Sequence, residues 1–351
     1  MTSKRKKKIG IIFGGKSGEY EVSLLSAASV IRAMNREKFE LVFLGITRDG
    51  TWKQFFGDVD AIEDGSWIET AWDFSLDRLK ETIDFALPVV HGPYCEDGRL
   101  QGLLEMLDIP YGGCGVLASA VAMDKGLAKE LFLQHNLPIC KYILVRKEEL
   151  QQERSRILEK IETEIGLPCF IKPANMGSSV GISKAADRQE LEDGLMLAVR
   201  YDRRIVVEEA LNCRELETGI LGNEDPKAAA VGEILPKGRF YDYSSKYADG
   251  GASLCIPAHL DSDTYEKIRE LAVKAYQAID GEGYARIDFF IEKDSGRVYL
   301  NEINTIPGFT QYSMFPLLWK EAGLEYSELL ERIIELGYER YHDKNNGETS
   351  L

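Results

Sequence analysis

GYARIDFFIEKDSGRVYLNEINTIPG, residues Gly283–Gly308, decides how the rest of the chain is read. Apolar and polar residues alternate on both sides of Lys293-Asp294-Ser295-Gly296, which predicts two antiparallel strands joined by a tight turn. A three-residue loop with Gly296 in the left-handed position is a common closure and makes Lys293 face Arg297. Counting back along both strands sets Asp288 opposite Glu302 and Arg286 opposite Asn304. Side chains alternate along a strand, so these four share one face. Ile287, Phe289, Tyr299 and Ile303 share the other, the expected core face. Two facing carboxylates repel, and a hard divalent cation held by oxygens would compensate them. Magnesium typically takes one or two carboxylates plus phosphate oxygens. A solvated acidic hairpin edge is the plainer reading. It is disfavoured because a guanidinium and an amide share the face and Pro307-Gly308 closes it. Gly308 lets a backbone N–H approach a ligand closely.

The chain has 351 residues, enough for two or three domains with well-buried cores. Hydrophobic residues make up 44%, which argues against disorder. A formal charge of -15 disfavours nucleic acid and anionic membranes as partners, although a local lysine and arginine cluster can still hold an anionic substrate. Six cysteines without paired spacing imply neither a disulfide framework nor a zinc site. No apolar run is long enough to span a bilayer, and the basic start Met1–Lys8 leads into a short strand rather than a cleavable apolar segment. A cytoplasmic protein with a frayed start is expected, and the polar C-terminal YHDKNNGETSL is expected to be disordered.

From the N-terminus, Lys8-Ile-Gly-Ile-Ile-Phe-Gly-Gly-Lys16 predicts a buried strand, residues 21–34 a helix with Leu24, Ala28, Ile31 and Met34 on one side, and residues 40–47 a second strand. This is a βαβ unit with a parallel sheet. Its glycines do not have dinucleotide-fingerprint spacing. Glu21 at the helix start complements the helix dipole by itself. The strand at 84–90 ends in a loop carrying His91 and Glu96, beyond the carboxyl edge where open parallel sheets bind ligands. A glycine-rich connection at 111–116 ends the first domain. Beyond it come Lys125, a helix at 126–135, a strand at 142–145 and one long charged helix at 148–165. A strand then carries Lys172 into Gly177-Ser178-Ser179, a turn whose N–H groups can wrap a phosphate. The loop 237–253 holds Phe240, Tyr241, Tyr243 and Tyr247, costly to leave in water, and is read as a lid with Lys246 pointing inward.

In this order the motifs resemble the D-alanine–D-alanine ligases of the ATP-grasp superfamily over almost the full length. The matching stretches are Glu19-Tyr20-Glu21-Val22-Ser23, His91-Gly92 with Glu96–Gly102, Met123-Asp124-Lys125, Ile171-Lys172-Pro173 with Gly177–Gly181, Phe240–Tyr243 with Lys246-Tyr247, Ala285–Asp288 and Asn301–Thr310. The resemblance implies an α/β, three-domain ATP-grasp fold with an N-terminal parallel-sheet, Rossmann-like domain. The implied divisions are 1–116, 117–208 and 209–351, with the lid in the last and ATP between the last two. It further implies that Lys125 and Lys172 hold the ATP phosphates and Lys246 reaches the terminal one. Glu208, Glu209, Leu211 and Glu215 would line the adenosine pocket. Asp288, Glu302 and Asn304 would hold two Mg2+ or Mn2+ ions, with Glu302 bridging. Glu21 would pair with the ammonium of the first D-alanine, linked by Ser178 and Tyr247 to the closed lid. Arg286 and the Gly308 N–H would stabilise the oxyanion. Ser313 and Met314 would meet the second D-alanine, and His91 would lie near the transferred phosphate. A homodimer is also implied.

The implied reaction follows from what a carboxylate needs. ATP phosphorylates the first D-alanine to an acyl phosphate, and the amine of the second attacks it. Each oxyanion donor is worth about 3 kcal/mol. Relatives that join D-alanine to D-serine or D-lactate are the nearest alternative; the Lys246-Tyr247 lid and the Ser313-Met314 pair favour D-alanine. A nicotinamide-dependent oxidoreductase is disfavoured by the glycine spacing, and a non-catalytic nucleotide-binding module by Asp288, Glu302 and Arg286.

Overall fold

The computed structural model describes residues 5–177, 180–236 and 252–346. Ser178, Lys246, Tyr247 and nearly all of the expected lid therefore lie outside the described residues.

Three sheets follow one another along the chain. The first contains β1 (Lys7–Gly14), β2 (Phe39–Ile46), β3 (Trp52–Phe55), β4 (Trp72–Asp73) and β5 (Phe85–Pro88), in the order β4-β3-β2-β1-β5. β2, β1 and β5 run parallel, as the βαβ pattern predicts, and β3 and β4 add an antiparallel edge. The second holds β6 (Tyr142–Arg146), β7 (Cys169–Pro173), β8 (Ser183–Ala185) and β9 (Arg204–Glu209), ordered β6-β9-β7-β8. The third holds β10 (Cys213–Leu221), β11 (Lys227–Pro236), β12 (Ala252–Cys255), β13 (Tyr284–Glu292) and β14 (Val298–Asn304), ordered β12-β11-β10-β13-β14.

The longer helices are α1 (Tyr20–Ala33), α2 (Arg99–Met106), α3 (Val116–Met123), α4 (Lys125–Gln134), α5 (Lys147–Gln152), α6 (Arg154–Glu164), α7 (Arg188–Ala198), α8 (Ser262–Ala278), α9 (Met314–Glu321) and α10 (Tyr326–Asn346). The single helix expected at 148–165 is two, because Glu153 leaves helical geometry at φ -130 and ψ 39. That bend lets Leu150, Leu158 and Ile161 all join the core of the second sheet. The C-terminus also differs from expectation, since α10 continues through Tyr341 to Asn346. Its apolar side, Leu329, Leu330, Ile333 and Ile334, enters the core of the first sheet beside Ile9, Phe13 and Phe85, which holds the helix in place. α3 and α4 pack with α8 on the third sheet.

The β13–β14 hairpin has the expected pairs, Asp288 with Glu302 and Arg286 with Asn304, by a route the alternation did not predict. Its loop is one residue longer: Glu292 N–H bonds Arg297 O at 3.0 Å and Gly296 N–H bonds Glu292 O at 2.8 Å, with Gly296 left-handed at φ 69. A bulge beyond Asp288, where Phe289 pairs with Leu300, restores the register. The bulge also flips the outer half of β14, so Val298 and Leu300 occupy the core face and Tyr299 does not.

All six cysteines are free. Among the described residues no helix is long and apolar enough to cross a membrane.

Candidate active site

One face of the third sheet carries a row of carboxylates. Glu217 on β10 pairs with Asp288 on β13, which pairs with Glu302 on β14. Arg286 lies among them and forks onto Asp288, Nε to Oδ1 at 2.7 Å and Nη2 to Oδ2 at 2.8 Å. Its Nε is also 3.0 Å from Glu217 Oε2. Burial works against the guanidinium charge, yet Asp288 and Glu217 outweigh it and hold the group protonated well above its ordinary range. Glu302 is met from another element: Lys125, the first residue of α4, places Nζ 3.2 Å from Oε2. The same ammonium donates to Met176 O at 3.0 Å, in the turn after β7. Repulsion across Asp288 and Glu302 is therefore relieved by Arg286 on one side and Lys125 on the other.

Asp288, Glu302 and Asn304 offer only oxygen for a cation, a donor set for magnesium or manganese rather than a soft metal. Among the described residues no three His, Cys, Asp or Glu side chains form a metal-holding group by themselves. A cation held there would complete its shell with the Asn304 amide and ligand oxygens, which would suit magnesium. Asn304 Oδ1 meanwhile accepts the Ile306 N–H at 3.1 Å.

A second cluster lies on the neighbouring sheet. Glu208 is 3% exposed between two lysines, with Lys129 Nζ 3.0 Å from Oε1 and Lys172 Nζ 2.6 Å from Oε2. Burial by itself would push its carboxyl up, but the two ammonium groups outweigh that and hold it at about 2. Lys172 is raised in turn: burial opposes its charge, and Glu208 and Glu302 overcome the penalty. Lys129 was absent from the sequence reading. Its only trace there is the four-residue spacing from Lys125, which puts both ammonium groups on one side of α4. Glu209 Oε1 accepts the Lys141 N–H at 2.8 Å, and Leu211 is half-buried just beyond β9. Glu215, half-buried, pairs with Phe290 and so shares the face of Glu217 and Asp288.

Loops of the first sheet close the other side. Glu21 is exposed at the start of α1, where Arg48 takes its carboxylate. The acid turned toward the interior is Glu19, 9% exposed. A Cβ built at Gly92 would lie 2.7 Å from its Oε2 and one at Gly177 3.0 Å, so the carboxylate sits between the His91 loop and the turn at Gly177. His91 is buried, with Nδ1 2.9 Å from Ile306 O and Nε2 3.0 Å from Ser26 Oγ. Burial disfavours its imidazolium, but Glu96, 3.8 Å away, outweighs that and raises the ring's pKa. Glu96 is itself raised by burial.

Gly308 lies against α9. A Cβ there would be 2.9 Å from Ser313 Oγ, the hydroxyl that accepts the Thr310 N–H at 3.0 Å. Met314 starts α9, which packs tightly on the sheet: a Cβ at Gly232 would meet Met314 Sδ at 2.6 Å, and one at Gly219 would meet Trp319 Nε1 at 2.7 Å.

The three sheets thus bring Glu19, His91, Lys125, Lys172, Arg286, Asp288, Glu302, Asn304 and Gly308 into one neighbourhood, and leave Glu21 at its exposed edge. Lys125, Lys172 and Arg286 beside the oxygen donors of Asp288, Glu302 and Asn304, with an extra N-terminal parallel sheet, fit an ATP-grasp enzyme of the ligase class. The family model for the D-ala D-ala ligase C-terminus matches residues 131–335, and that for the N-terminus matches residues 8–114. A D-alanine–D-alanine ligase of Bacillus velezensis is 48% identical, over 95% of this chain and 98% of its own. One from Acetivibrio thermocellus is 44% identical, over 96% and 97%. Among solved structures, the VanG D-Ala:D-Ser ligase of Enterococcus faecalis superposes with a TM-score of 0.86 at 36% identity, over 95% of this chain and 100% of that one. The D-alanine–D-alanine ligase of Coxiella burnetii gives 0.81 at 30% identity, over 97% and 96%. The chain belongs to the D-alanine–D-alanine ligase family.

Proposed function

We propose that this chain joins two D-alanine molecules into D-alanyl-D-alanine, with ATP converted to ADP and phosphate, as a step in peptidoglycan precursor synthesis. The observation that carries the reading is the pair Asp288 and Glu302 on facing strands, with Arg286, Lys125 and Lys172 within one ion-pair network. Asp288, Glu302 and Asn304 are the residues to hold two Mg2+ or Mn2+ ions. Bound there, the ions would neutralise charge on the phosphoryl group in transfer.

The chain's own groups account for the remaining steps. Lys125 and Lys172 exchange their carboxylate partners for ATP phosphates, and Lys246 of the lid reaches the terminal one. Lys129 stays on Glu208, so the carboxylate keeps a cation when Lys172 moves. Glu208, Glu209, Leu211 and Glu215 line the adenosine pocket. The ammonium of the first D-alanine is assigned to Glu19 rather than Glu21, because Glu19 is the acid facing Gly92 and Gly177. Ser178 and Tyr247 close the lid over it. Its carboxylate oxygen takes the γ-phosphoryl group, ADP departs, and the second D-alanine, held by Ser313 and Met314, attacks the acyl carbon through its free amine. The oxyanion forms between Arg286 and the Gly308 N–H, then collapses as the C–O bond to phosphate breaks. Enclosure protects the acyl phosphate from water.

The proposed divisions remain 1–116, 117–208 and 209–351, one sheet to each, with α3 and α4 of the second packing on the third sheet. A cytoplasmic homodimer completes the proposal, and light scattering tests the dimer. The function itself is tested by ADP release with D-alanine, D-serine and D-lactate supplied singly and in pairs, with products identified by mass. D-alanyl-D-alanine is expected as the main product at neutral pH. A D-serine dipeptide or D-lactate ester formed in preference to it overturns the substrate assignment.

A further inference from the structure

We propose that Ser26 is a positioning residue for the Gly308 N–H, acting through a closed brace of hydrogen bonds with His91. The proposal deepens the reading of Gly308 as an oxyanion donor and rests on it. Ser26 lies inside α1 with none of its surface exposed. Its Oγ accepts the Phe309 N–H at 3.2 Å and stands 3.0 Å from His91 Nε2. The other ring nitrogen, Nδ1, is 2.9 Å from Ile306 O. A carbonyl only accepts, so Nδ1 carries a proton and Nε2 takes the Ser26 hydroxyl proton when the ring is neutral.

These three contacts bracket the segment from Ile306 to Phe309. Within the bracket stand only Pro307 and Gly308. Proline has no N–H, so the sole backbone donor between the two anchors is that of Gly308. The brace fixes the carbonyl before Pro307 and the amide after Gly308, and thereby the direction of the one N–H left for a ligand. The Ile306 N–H is tied separately to Asn304 Oδ1, which links the same segment to the oxygen donors of β14. Glu96 and Glu19 are the charged groups facing the imidazole. α1 thus carries Glu19 at its start and Ser26 about two turns on. One rigid element holds both the acid assigned to the substrate ammonium and the hydroxyl that orients the oxyanion donor.

A hydroxyl that merely satisfied buried partners would give stability alone. The two roles separate in Ser26→Ala, assayed for kcat and for KM of ATP where circular dichroism shows it folded. The brace predicts a kcat lower by roughly 10- to 100-fold, since small misplacement of a reacting group costs on that order. KM for ATP should change less than kcat, because the residues assigned to the nucleotide, Lys125, Lys172 and Glu208–Glu215, lie outside the bracket. Amide exchange at Gly308 and Phe309, read by NMR, should quicken relative to wild type. A folded variant with wild-type kcat and unchanged exchange at Gly308 overturns the proposal. Should Ser26→Ala not fold, Ser26→Cys keeps the shape in a slightly larger side chain while offering only a weak donor and acceptor, and has the same two arms. Wild-type turnover of D-alanine tests the assigned reaction, whereas the exchange measurement tests the brace whatever the substrate.

Discussion

Glu208 and its two lysines show how single residues are tuned here. A carboxylate buried beside Lys129 and Lys172 is held at about 2 against an ordinary 4.5. The folded value is the depressed one, so the stabilisation is full above the unfolded value and is lost as pH falls from 4.5 toward 2. Acid titration of stability should therefore steepen across that window, and Glu208→Gln should flatten it. Gln also strands the buried Lys129 ammonium and leaves Lys172 only the Glu302 charge, at a cost of about 3–5 kcal/mol at neutral pH, measurable by denaturant unfolding. The two acids near the start of α1 divide equally clearly. Glu19→Gln should raise KM for D-alanine by roughly tenfold or more, the loss of one charge-assisted contact, while Glu21→Gln should leave it near wild type. Equal effects in steady-state kinetics would contradict the assignment to Glu19. Sequence alone could not make that choice. Both acids sit at the helix start, and only the turn of α1 against the Gly92 loop decides which points inward. Lys129 was hidden for a similar reason, since a lysine in an amphipathic helix ordinarily reads as solvent-facing.

At the scale of elements, the hairpin was legible where it mattered. The expected pairs, Arg286 with Asn304 and Asp288 with Glu302, are both present, but counting from a three-residue loop reached them only because two departures cancel. The outer half was not legible: a bulge and a loop one residue longer cancel in the register, and alternation cannot reveal either. Tyr299 is the residue that this displaced. The seating of α9 was also invisible, because it depends on Gly219 and Gly232 lying beneath Met314, Leu318 and Trp319. A methyl at Gly232 would meet Met314 Sδ at 2.6 Å. Gly232→Ala should cost about 1–3 kcal/mol in denaturant unfolding, the usual range for overpacking. Because α9 begins at the proposed second-substrate position, KM for the second D-alanine should rise more than KM for ATP.

Across the whole molecule, the first and third sheets are fastened by the C-terminal helix. Arg340 on α10 is buried over the Tyr111 ring, 4.1 Å from its centroid, and donates to Tyr111 O at 2.9 Å and to Gly113 O. Length and composition bounded the chain to two or three domains, with three α/β units only as what the resemblance implied, and a polar C-terminus gave no hint that its helix returns to the first sheet. Arg340→Ala should remove about 3–5 kcal/mol, leaving buried carbonyls without donors. Unfolding should also become less cooperative. That fastening holds Glu19, His91 and Gly308 near the carboxylates of β13 and β14, where the proposed phosphoryl transfer is placed. The most direct test is Mn2+ binding in the presence of ATP, followed by electron paramagnetic resonance in wild type and in Glu302→Gln. The account predicts that the folded variant binds the ion at least roughly tenfold more weakly and loses nearly all turnover. Wild-type ion affinity in that variant would contradict it.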